Sequence, residues 1–232
     1  MSKSKTVWEE FFASRKCGGH RSSAEEFLSK EAREKLYHLN GGETLLDFGC
    51  GAGELLVYYA TEYDMLVGAD FSASMLEEAR KRAVERKCGN ITLILANDKT
   101  VWDKLDSSFD RITAAGVIQY LTYDEIDNFI ANASRYLNKG GKIVFFDILD
   151  PRQYPFWKIG LFSRNAGFWK IFCKIDFETY AIISASLKNR PKDILGQAHN
   201  PLKIEKIANK HGFNMEYVQS MYYEYKYHAI LS

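Results

Sequence analysis

Two hydrophobic periods alternate along the middle of the chain, and the alternation predicts strands and helices in turn. Short apolar runs predict five buried strands, at residues 44–48, 65–70, 91–96, 109–115 and 142–149. Between these runs, apolar residues recur at every third or fourth position, which predicts helices at 54–63, 73–88 and 123–137. Strands that alternate with helices indicate a mainly parallel sheet covered by helices on both faces.

Helix-start signals sharpen this pattern. Ser72 precedes one helix as an N-cap, and Thr122-x-x-Glu125 is a capping box for another. Asn200-Pro201 predicts a further helix that ends before Gly212. The last two strands, at 213–221 and 223–231, have only a short link and are expected to be antiparallel. The predicted fold is therefore α/β, with a mainly parallel seven-stranded sheet and an antiparallel final hairpin.

The first forty residues are expected to be helical. Residues 6–16 predict a short helix, which the segment 17–21 breaks. A second helix follows and ends near residue 39, with Ser22 or Ser23 as its cap. Glu25 or Glu26 would complete a capping box there. Residues 1–40 are thus predicted to form an N-terminal helical lid on a domain that spans 41–232.

The segment 45–53, Leu-Leu-Asp-Phe-Gly-Cys-Gly-Ala-Gly, is the strongest functional signal in the chain. It predicts a buried strand that ends in a tight turn. Gly49, Gly51 and Gly53 carry no Cβ, so the backbone can approach a ligand closely and adopt positive φ. A helix is expected to begin near Glu54, with its N-terminal amides facing the same crevice. For the glycines taken alone, a turn that binds nothing is an equal alternative.

The spacing of the glycines distinguishes between nucleotides. A dinucleotide fingerprint is G-x-G-x-x-G with an acid about 20 residues later. This chain has G-x-G-x-G, with Glu54 where the dinucleotide motif needs a small residue. Asp70 ends the second strand, where a carboxylate can accept hydrogen bonds from both hydroxyls of a ribose. Asp70 as a helix-capping acid is the alternative, and the glycine turn upstream favours ribose binding.

Composition narrows the classes of function. The 232 residues are 46% hydrophobic and 26% charged with a net charge of +1, so no global basic field favours nucleic acid. The four cysteines form no Cys-x-x-Cys pair, which argues against a metal site and for a reducing compartment. No signal peptide is evident, and no apolar stretch reaches the roughly 18 residues of a membrane span. We expect a cytoplasmic protein, and the sequence carries no signal for an oligomeric state.

Four segments together resemble the class I S-adenosylmethionine-dependent methyltransferases, in that family's order and at its intervals. They are Leu-Asp-Phe-Gly-Cys-Gly-Ala-Gly (46–53), Val-Gly-Ala-Asp-Phe-Ser-Ala-Ser-Met-Leu (67–76), Ser-Phe-Asp-Arg-Ile (108–112) and Leu-Asn-Lys-Gly-Gly-Lys-Ile (137–143). The resemblance covers residues 40–150 well and the last thirty residues loosely. It implies a Rossmann-like fold, S-adenosyl-L-methionine as cofactor and residues 41–232 as the cofactor-binding domain.

The resemblance also implies roles for residues at the strand ends. Asp47 would hold the methionine amino group or brace the loop, and Phe71 or Met75 would lie against the adenine. For Met75, a place in the helix–sheet core is an equal alternative. Asn97 or Asp98 would bind the adenine amino group. The whole predicted cofactor-binding set is Asp47, Gly49, Cys50, Gly51, Gly53, Asp70, Phe71, Met75, Asn97, Asp98 and Gly116.

Three residues are candidates for catalysis on the acceptor side. His20 is a candidate base, because N-terminal segments fold over the cofactor in relatives and histidine titrates near neutrality. Tyr120, with Gln119, follows the fourth strand and is expected to face the acceptor. Asp147 lies near the end of the fifth strand. The alternatives are a solvated surface histidine for His20 and a capping or turn role for Asp147.

Residues 151–199 form an insertion after the fifth strand, where relatives build a substrate cap. Its first half, 151–175, holds seven aromatic residues, five cations and no acids. An aromatic cap with solvated lysines fits this composition, and so does a cap for an apolar or lipid-linked acceptor at a membrane surface. Single-stranded nucleic acid also fits aromatic and basic residues, but the near-neutral chain weighs against it.

The leading functional hypothesis is methyl transfer to a small-molecule acceptor, more on oxygen than on nitrogen or carbon. An RNA or protein methyltransferase is the second hypothesis. A non-catalytic cofactor-binding partner subunit is the third, because the glycine loop and Asp70 indicate binding rather than turnover.

Overall fold

A computed structural model describes residues 24–158 and 196–232 of the chain. The helices in these ranges are α1 Glu25–His38, α2 Leu56–Tyr59, α3 Ala73–Glu85, α4 Tyr123–Ala133, α5 Tyr154–Lys158 and α6 Pro201–Lys210. The strands are β1 Thr44–Phe48, β2 Met65–Asp70, β3 Ile91–Leu95, β4 Phe109–Ala115, β5 Leu137–Leu149, β6 Met215–Gln219 and β7 Lys226–Leu231.

The seven strands form one sheet in the order β3-β2-β1-β4-β5-β7-β6. The pairs among β3, β2, β1, β4 and β5 are parallel, whereas β7 is antiparallel to both β5 and β6. The predicted fold class is confirmed, including the reversed final hairpin. Because the order reverses beside β1, the ends of β1 and β4 form the crevice where ligands bind in such sheets.

Apolar residues cover both faces of the sheet, which explains the continuous apolar runs of its central strands. On one face, Ile126 and Phe129 of α4 and Ile204 of α6 pack in the core. On the other face, Ala32 of α1 and Leu56 of α2 do so.

The predicted helix starts are largely confirmed. Ser72 Oγ accepts from Met75 N, and Asn200 Oδ1 accepts from Leu202 N at 3.0 Å. Thr122 and Glu125 form the expected capping box, in which each side chain accepts from the backbone N–H of the other residue. These bonds satisfy amide donors that have no partner inside the helix.

The start of α1 differs from its prediction. The helix begins after Ala24, which makes no side-chain cap bond, and Ser22 and Ser23 lie outside the described residues. Glu25 instead accepts from Tyr58 Oη and Arg86, and Glu26 pairs with Lys30 at 2.6 Å. The predicted capping box at this helix is therefore wrong, because other partners take both glutamates.

Several element boundaries also differ. The predicted helix 54–63 is α-helical only over Leu56–Tyr59, and the bonds from Thr61 N to Tyr58 O and from Glu62 N to Tyr59 O tighten its end. Helix α3 ends at Glu85, whereas the sequence predicted an end near the glycine at 89. Lys87, just beyond the helix, adopts a positive φ of 56°. Strand β5 begins at Leu137 rather than at 142, because Leu137 pairs with Phe109. The two final strands are shorter than predicted.

Parts of the predicted lid and cap, including His20, lie outside the described residues. Within the described part of the chain, no helix is long and apolar enough to span a bilayer. In the same two ranges, no group of three or more histidine, cysteine or acidic side chains could hold a metal ion. The division into a lid, a domain and a cap stays a prediction.

Candidate cofactor and acceptor site

Four predicted site loops meet at the carboxyl ends of the parallel strands. Gly49 follows β1, Asp70 ends β2, Asn97 lies shortly after β3 and Gly116 follows β4. Neighbouring strands bring these ends together, and Gly49 N donates to Ala69 O at 2.7 Å. The structure thus brings the predicted cofactor residues to one edge of the sheet.

The glycine loop adopts the backbone conformation that the sequence predicted. Gly49, Gly51 and Gly53 have φ of 76°, 57° and 76°, a region that side chains with a Cβ rarely adopt. A Cβ on Gly49 would lie 2.2 Å from Val117 Cγ2. The loop after β1 therefore packs tightly against the loop after β4, and only glycine fits at that contact.

Asp70 connects the glycine loop to the start of α3. Its Oδ2 accepts from Gly51 N at 3.0 Å, and its Oδ1 accepts from Ser72 N at 2.8 Å. Burial raises the pKa of Asp70 to about 6, although the backbone hydrogen bonds from Ser72 and Gly51 oppose this rise. Each carboxylate oxygen has two lone pairs, so the group can accept further hydrogen bonds from a ligand.

Three buried carboxylates surround Cys50 at this loop. Asp47 and Glu54 are buried like Asp70. Burial and the charges of Asp70, Asp47 and Glu54 raise the pKa of the Cys50 thiol well above its usual range, so it remains protonated. The sequence analysis did not include Glu54 in the site. The sequence feature that could have identified Glu54 is its position as an acid between the last glycine and the apolar residues at 55–57.

The predicted adenine-binding residues occupy different environments. Phe71 is partly exposed at the end of β2, whereas Met75 is almost fully buried in the first turn of α3. Asn97 Oδ1 accepts from Lys99 N at 2.9 Å and from Thr100 N at 3.1 Å. Its oxygen therefore stabilises a local turn, whereas Asp98 is partly exposed beside it. Their ligand-binding roles stay predictions.

The loop after β4 carries two neutral polar side chains. Gly116 has φ 70°, and its N donates to Phe146 O at 2.9 Å. Gln119 Nε2 donates to Tyr120 Oη at 3.0 Å. Burial raises the pKa of Tyr120 to about 12, so it is a phenol rather than a phenolate at neutral pH. Tyr120 was predicted to be catalytic. As a neutral phenol it can form a hydrogen bond with a ligand, but it cannot act as a base.

Asp147 occupies a buried ion cluster. The residue adopts φ 61° where the register of β5 and β7 shifts. Its Oδ2 lies 2.9 Å from Lys35 Nζ, which also lies 3.0 Å from Glu31 Oε1. Lys35 thus provides a buried counter-charge for both carboxylates. The predicted catalytic role of Asp147 is not tested by this pairing.

A second buried link joins α1 to the final hairpin. Asp147 N donates to His228 Nδ1 at 3.2 Å, so the other ring nitrogen carries the hydrogen. That nitrogen, Nε2, lies 3.1 Å from Glu34 Oε1, which also accepts from Met221 N at 2.5 Å. Glu34 therefore fixes the loop between β6 and β7 against α1.

This loop places aromatic rings at the same edge of the sheet. Lys226, at the start of β7, pairs with Leu149 at the carboxyl end of β5. Phe27 of α1 contacts Tyr222 and Tyr223, with ring centroids 5.7 and 6.1 Å apart. The sequence analysis did not include these rings in the site, because α1 and the hairpin are separated by almost the whole chain.

The sheet order, the glycine loop and the carboxylate at the end of β2 define a nucleotide-binding α/β domain of the methyltransferase type. A family model described as a methyltransferase domain matches residues 45–141. The matched residues 45–141 carry a methyltransferase domain, and the sheet order is that of the class I S-adenosylmethionine-dependent methyltransferases.

Two curated relatives illustrate the range of this similarity. Demethylmenaquinone methyltransferase of Tropheryma whipplei (strain Twist) is 31% identical over 134 residues, which are 57% of this chain and 54% of that protein. Cyclopropane-fatty-acyl-phospholipid synthase of Escherichia coli (strain K12) is 36% identical over 120 residues, 51% of this chain and 29% of the synthase. The chain thus spans about half the length of the first relative and less of the second.

A solved methyltransferase structure has a similar fold. Magnesium protoporphyrin IX methyltransferase from Synechocystis PCC 6803 with bound SAM superposes with a TM-score of 0.60. The match covers 100% of this chain and 96% of that chain at 17% sequence identity.

Proposed function

We propose that this protein binds S-adenosylmethionine and transfers its methyl group to a small-molecule acceptor. The observation that carries the proposal is the join between the glycine loop and Asp70, in which Gly51 N donates to Asp70 Oδ2 at 3.0 Å. Because of this bond, the Asp70 carboxylate, for which we propose a ribose-binding role, lies directly beside backbone that can approach a ligand closely.

The charges around the loop fit this cofactor. Asp47, Glu54 and Asp70 are buried carboxylates at one loop. S-adenosylmethionine carries a positive sulfonium and a positive amino group, and carboxylates favour both. A pyrophosphate would meet repulsion from the same three groups, which argues against a dinucleotide. The residues present therefore fit S-adenosylmethionine.

The roles of the chain's own residues follow from their positions. Asp70 would accept from the ribose hydroxyls, and Asp98 is preferred over Asn97 for the adenine because Asn97 Oδ1 already accepts two backbone bonds. Phe71 would lie against the adenine face. When bound, S-adenosylmethionine supplies a methyl group on a positively charged sulfur. The protein's task is to orient the acceptor and exclude water.

We infer oxygen as the methylated atom. Gln119 and Tyr120 are neutral hydrogen-bonding groups beside the loop after β4. Neutral groups suit a hydroxyl better than a charged amine. A screen of metabolite classes with labelled S-adenosylmethionine tests the proposal, and label in a methyl ether or ester is the expected product. Label only in RNA or protein would favour the second hypothesis.

A lipid-linked acceptor is the second candidate. The name of the similar E. coli synthase refers to a fatty-acyl phospholipid. The 151–175 segment combines seven aromatic residues with five cations, a composition that suits an anionic membrane surface. Sedimentation with anionic vesicles at low salt should carry the protein down. Glutamine at Lys158, Arg164, Lys170 and Lys174 should weaken this association by about 1 kcal/mol per charge. A wild-type protein that stays in solution would contradict the membrane reading.

A further inference from the structure

Gln119 is a buried polar side chain that the predicted catalytic set does not contain. It lies in the turn Ile118–Tyr120, and 7% of its surface is exposed. Its Nε2 donates to Tyr120 Oη at 3.0 Å. Its Oε1 is buried and has no hydrogen-bond partner in the described ranges 24–158 and 196–232. Buried polar atoms in folded proteins are nearly always paired, so this oxygen is expected to have a partner beyond the described residues.

The position of the turn points to the candidate site. Val117 packs against Gly49, since a Cβ there would lie 2.2 Å from Val117 Cγ2. Gly116, just before it, leaves the carboxyl end of β4 with φ 70°. Gln119 is therefore two residues beyond the contact between the glycine loop and the loop after β4. An oxygen at this place lies at the edge where the proposed cofactor and its acceptor would meet.

Contacts with the segment 196–199 hold the turn in place. Gln119 O accepts from Gln197 N at 2.7 Å, and Ile118 O lies 2.9 Å from His199 Nε2. Because a carbonyl only accepts, this ring nitrogen carries a hydrogen, and burial lowers the pKa of His199 to about 4, which keeps the ring neutral. A Cβ on Gly196 would lie 2.6 Å from Gln119 O. Because these contacts fix the backbone of Gln119, its side chain has little freedom to turn Oε1 toward solvent.

We propose that Gln119 is a specificity-determining residue whose Oε1 accepts a hydrogen bond from an O–H or N–H group of the methyl acceptor. This inference rests on the proposed function. An amide oxygen is a neutral acceptor, so it selects for a hydrogen-bond donor without requiring a positive charge. A site that hydrogen-bonds a substrate group discriminates strongly against analogues that lack the group, because its own polar atom is then left unpaired.

The variants for the test separate the oxygen from the volume of the side chain. Gln119→Met keeps the length of the side chain and removes its polar end. Gln119→Glu keeps an oxygen acceptor, whether the group is ionised or protonated. Asn132→Leu removes an amide on α4 that donates to Asn128 O of its own helix, and serves as the control for loss of an amide.

The experiment measures label transfer from S-adenosylmethionine into a dilute small-molecule cell extract, together with calorimetric affinity for S-adenosylhomocysteine. We expect Gln119→Met to lower the transfer rate about tenfold or more, the loss typical of one buried hydrogen bond to a ligand. Its affinity for S-adenosylhomocysteine and its melting temperature should stay at the wild-type values or above. Gln119→Glu, which keeps an oxygen acceptor, should transfer label faster than Gln119→Met, and the control Asn132→Leu should transfer label at a rate close to that of the wild-type protein.

Four results would overturn the inference. Wild-type rates in Gln119→Met would show that the oxygen binds no acceptor group, while the proposed function stands. A parallel loss of S-adenosylhomocysteine affinity would place the donor on the cofactor. Failure of a folded Gln119→Glu variant to restore transfer would assign Gln119 a donor role instead. A wild-type protein that binds S-adenosylhomocysteine but transfers no label would refute the proposed catalysis and this inference with it.

Discussion

Asp70 is the single residue on which the proposed cofactor binding depends most. It ends β2, accepts hydrogen bonds from the glycine loop and from the N-cap residue of α3, and is almost fully buried. Its position was predicted from the apolar run before it and the 19-residue distance from Gly51. Its two backbone hydrogen bonds could not be predicted, because they depend on how the glycine loop turns.

Replacing Asp70 with alanine should weaken cofactor binding far more than it lowers the free energy of unfolding. Two ribose hydrogen bonds to a charged acceptor contribute about 1.5–3 kcal/mol each, so we expect at least about a 100-fold weaker binding of S-adenosylhomocysteine. Calorimetry beside thermal unfolding measures both effects. Asp103→Ala, at an exposed aspartate, is the control. Unchanged affinity in Asp70→Ala would reduce Asp70 to a helix cap.

The raised pKa of Asp70 predicts a pH-dependent affinity. Burial raises it from 3.8 to about 6, so the ionised form that accepts ribose hydroxyls is lost as the pH falls through 6. Affinity for S-adenosylhomocysteine should be level above about pH 7 and should fall by up to about tenfold per pH unit below pH 6. Calorimetry in buffers of different ionisation enthalpy should detect proton release near pH 6.

The raised pKa of Asp70 makes stability depend on pH in the opposite direction from cofactor affinity. The folded state binds this proton more tightly than the unfolded state does, so the contribution of Asp70 to stability is full below about pH 4 and is lost as the pH rises to about 6. An Asp70→Asn variant should show neither pH dependence. If Asp70→Asn keeps the wild-type dependence of affinity on pH, a group other than Asp70 titrates near pH 6.

At the scale of elements, α1 shows most clearly what a sequence conceals. Glu31, Glu34 and Lys35 are charged residues on a helix, and residues of this type are mostly exposed in folded proteins. All three are buried, because Asp147 and His228 from strands more than one hundred residues away provide partners. Pairing over that distance leaves no local pattern.

Two glutamate–lysine pairs on α1 provide a matched test of this burial. Lys35→Met should destabilise the protein by about 3–5 kcal/mol, because Glu31 and Asp147 lose a buried counter-charge. Lys30→Met breaks the exposed pair with Glu26 and should cost at most about 1 kcal/mol. Denaturant unfolding compares the two. Equal effects would contradict the buried ion cluster.

The loop after β1 offers a second element-scale test. Gly49→Ala places a Cβ 2.2 Å from Val117 at φ 76°, so we expect more than about 1 kcal/mol of destabilisation and weaker binding of S-adenosylhomocysteine. Gly89→Ala meets nothing within 4 Å and should change stability by no more than about 0.5 kcal/mol. Thermal unfolding and calorimetry report both values. A Gly49→Ala variant as stable as Gly89→Ala would contradict the tight contact between loops.

The accuracy of the element predictions followed the strength of the local signal. Strands β1, β2 and β4 have the predicted bounds, because each is an apolar run that is buried in the centre of the sheet. The start of β5 could not be predicted, since residues 138–141 are polar or glycine and carry no apolar strand pattern. The short α2 is buried on several sides, so its residues lack the one-sided pattern that fixes helix length.

At the scale of the whole molecule, the relative directions of the strands followed from general rules. Alternating strands and helices required parallel neighbours, and the short final link required a reversal. The same rules predicted that Gly49, Asp70 and Gly116 lie at one edge of the sheet. The proposed acceptor side was less predictable, because α1, the loop after β4 and the final hairpin lie far apart in the sequence.

Calorimetric titration of the wild-type protein with S-adenosylhomocysteine and with NAD tests the central claim most directly. Three buried carboxylates and a G-x-G-x-G loop favour a positively charged nucleoside cofactor over a pyrophosphate. We predict saturable binding of S-adenosylhomocysteine at one site and no heat from NAD. Tight binding of NAD with no response to S-adenosylhomocysteine would contradict the account.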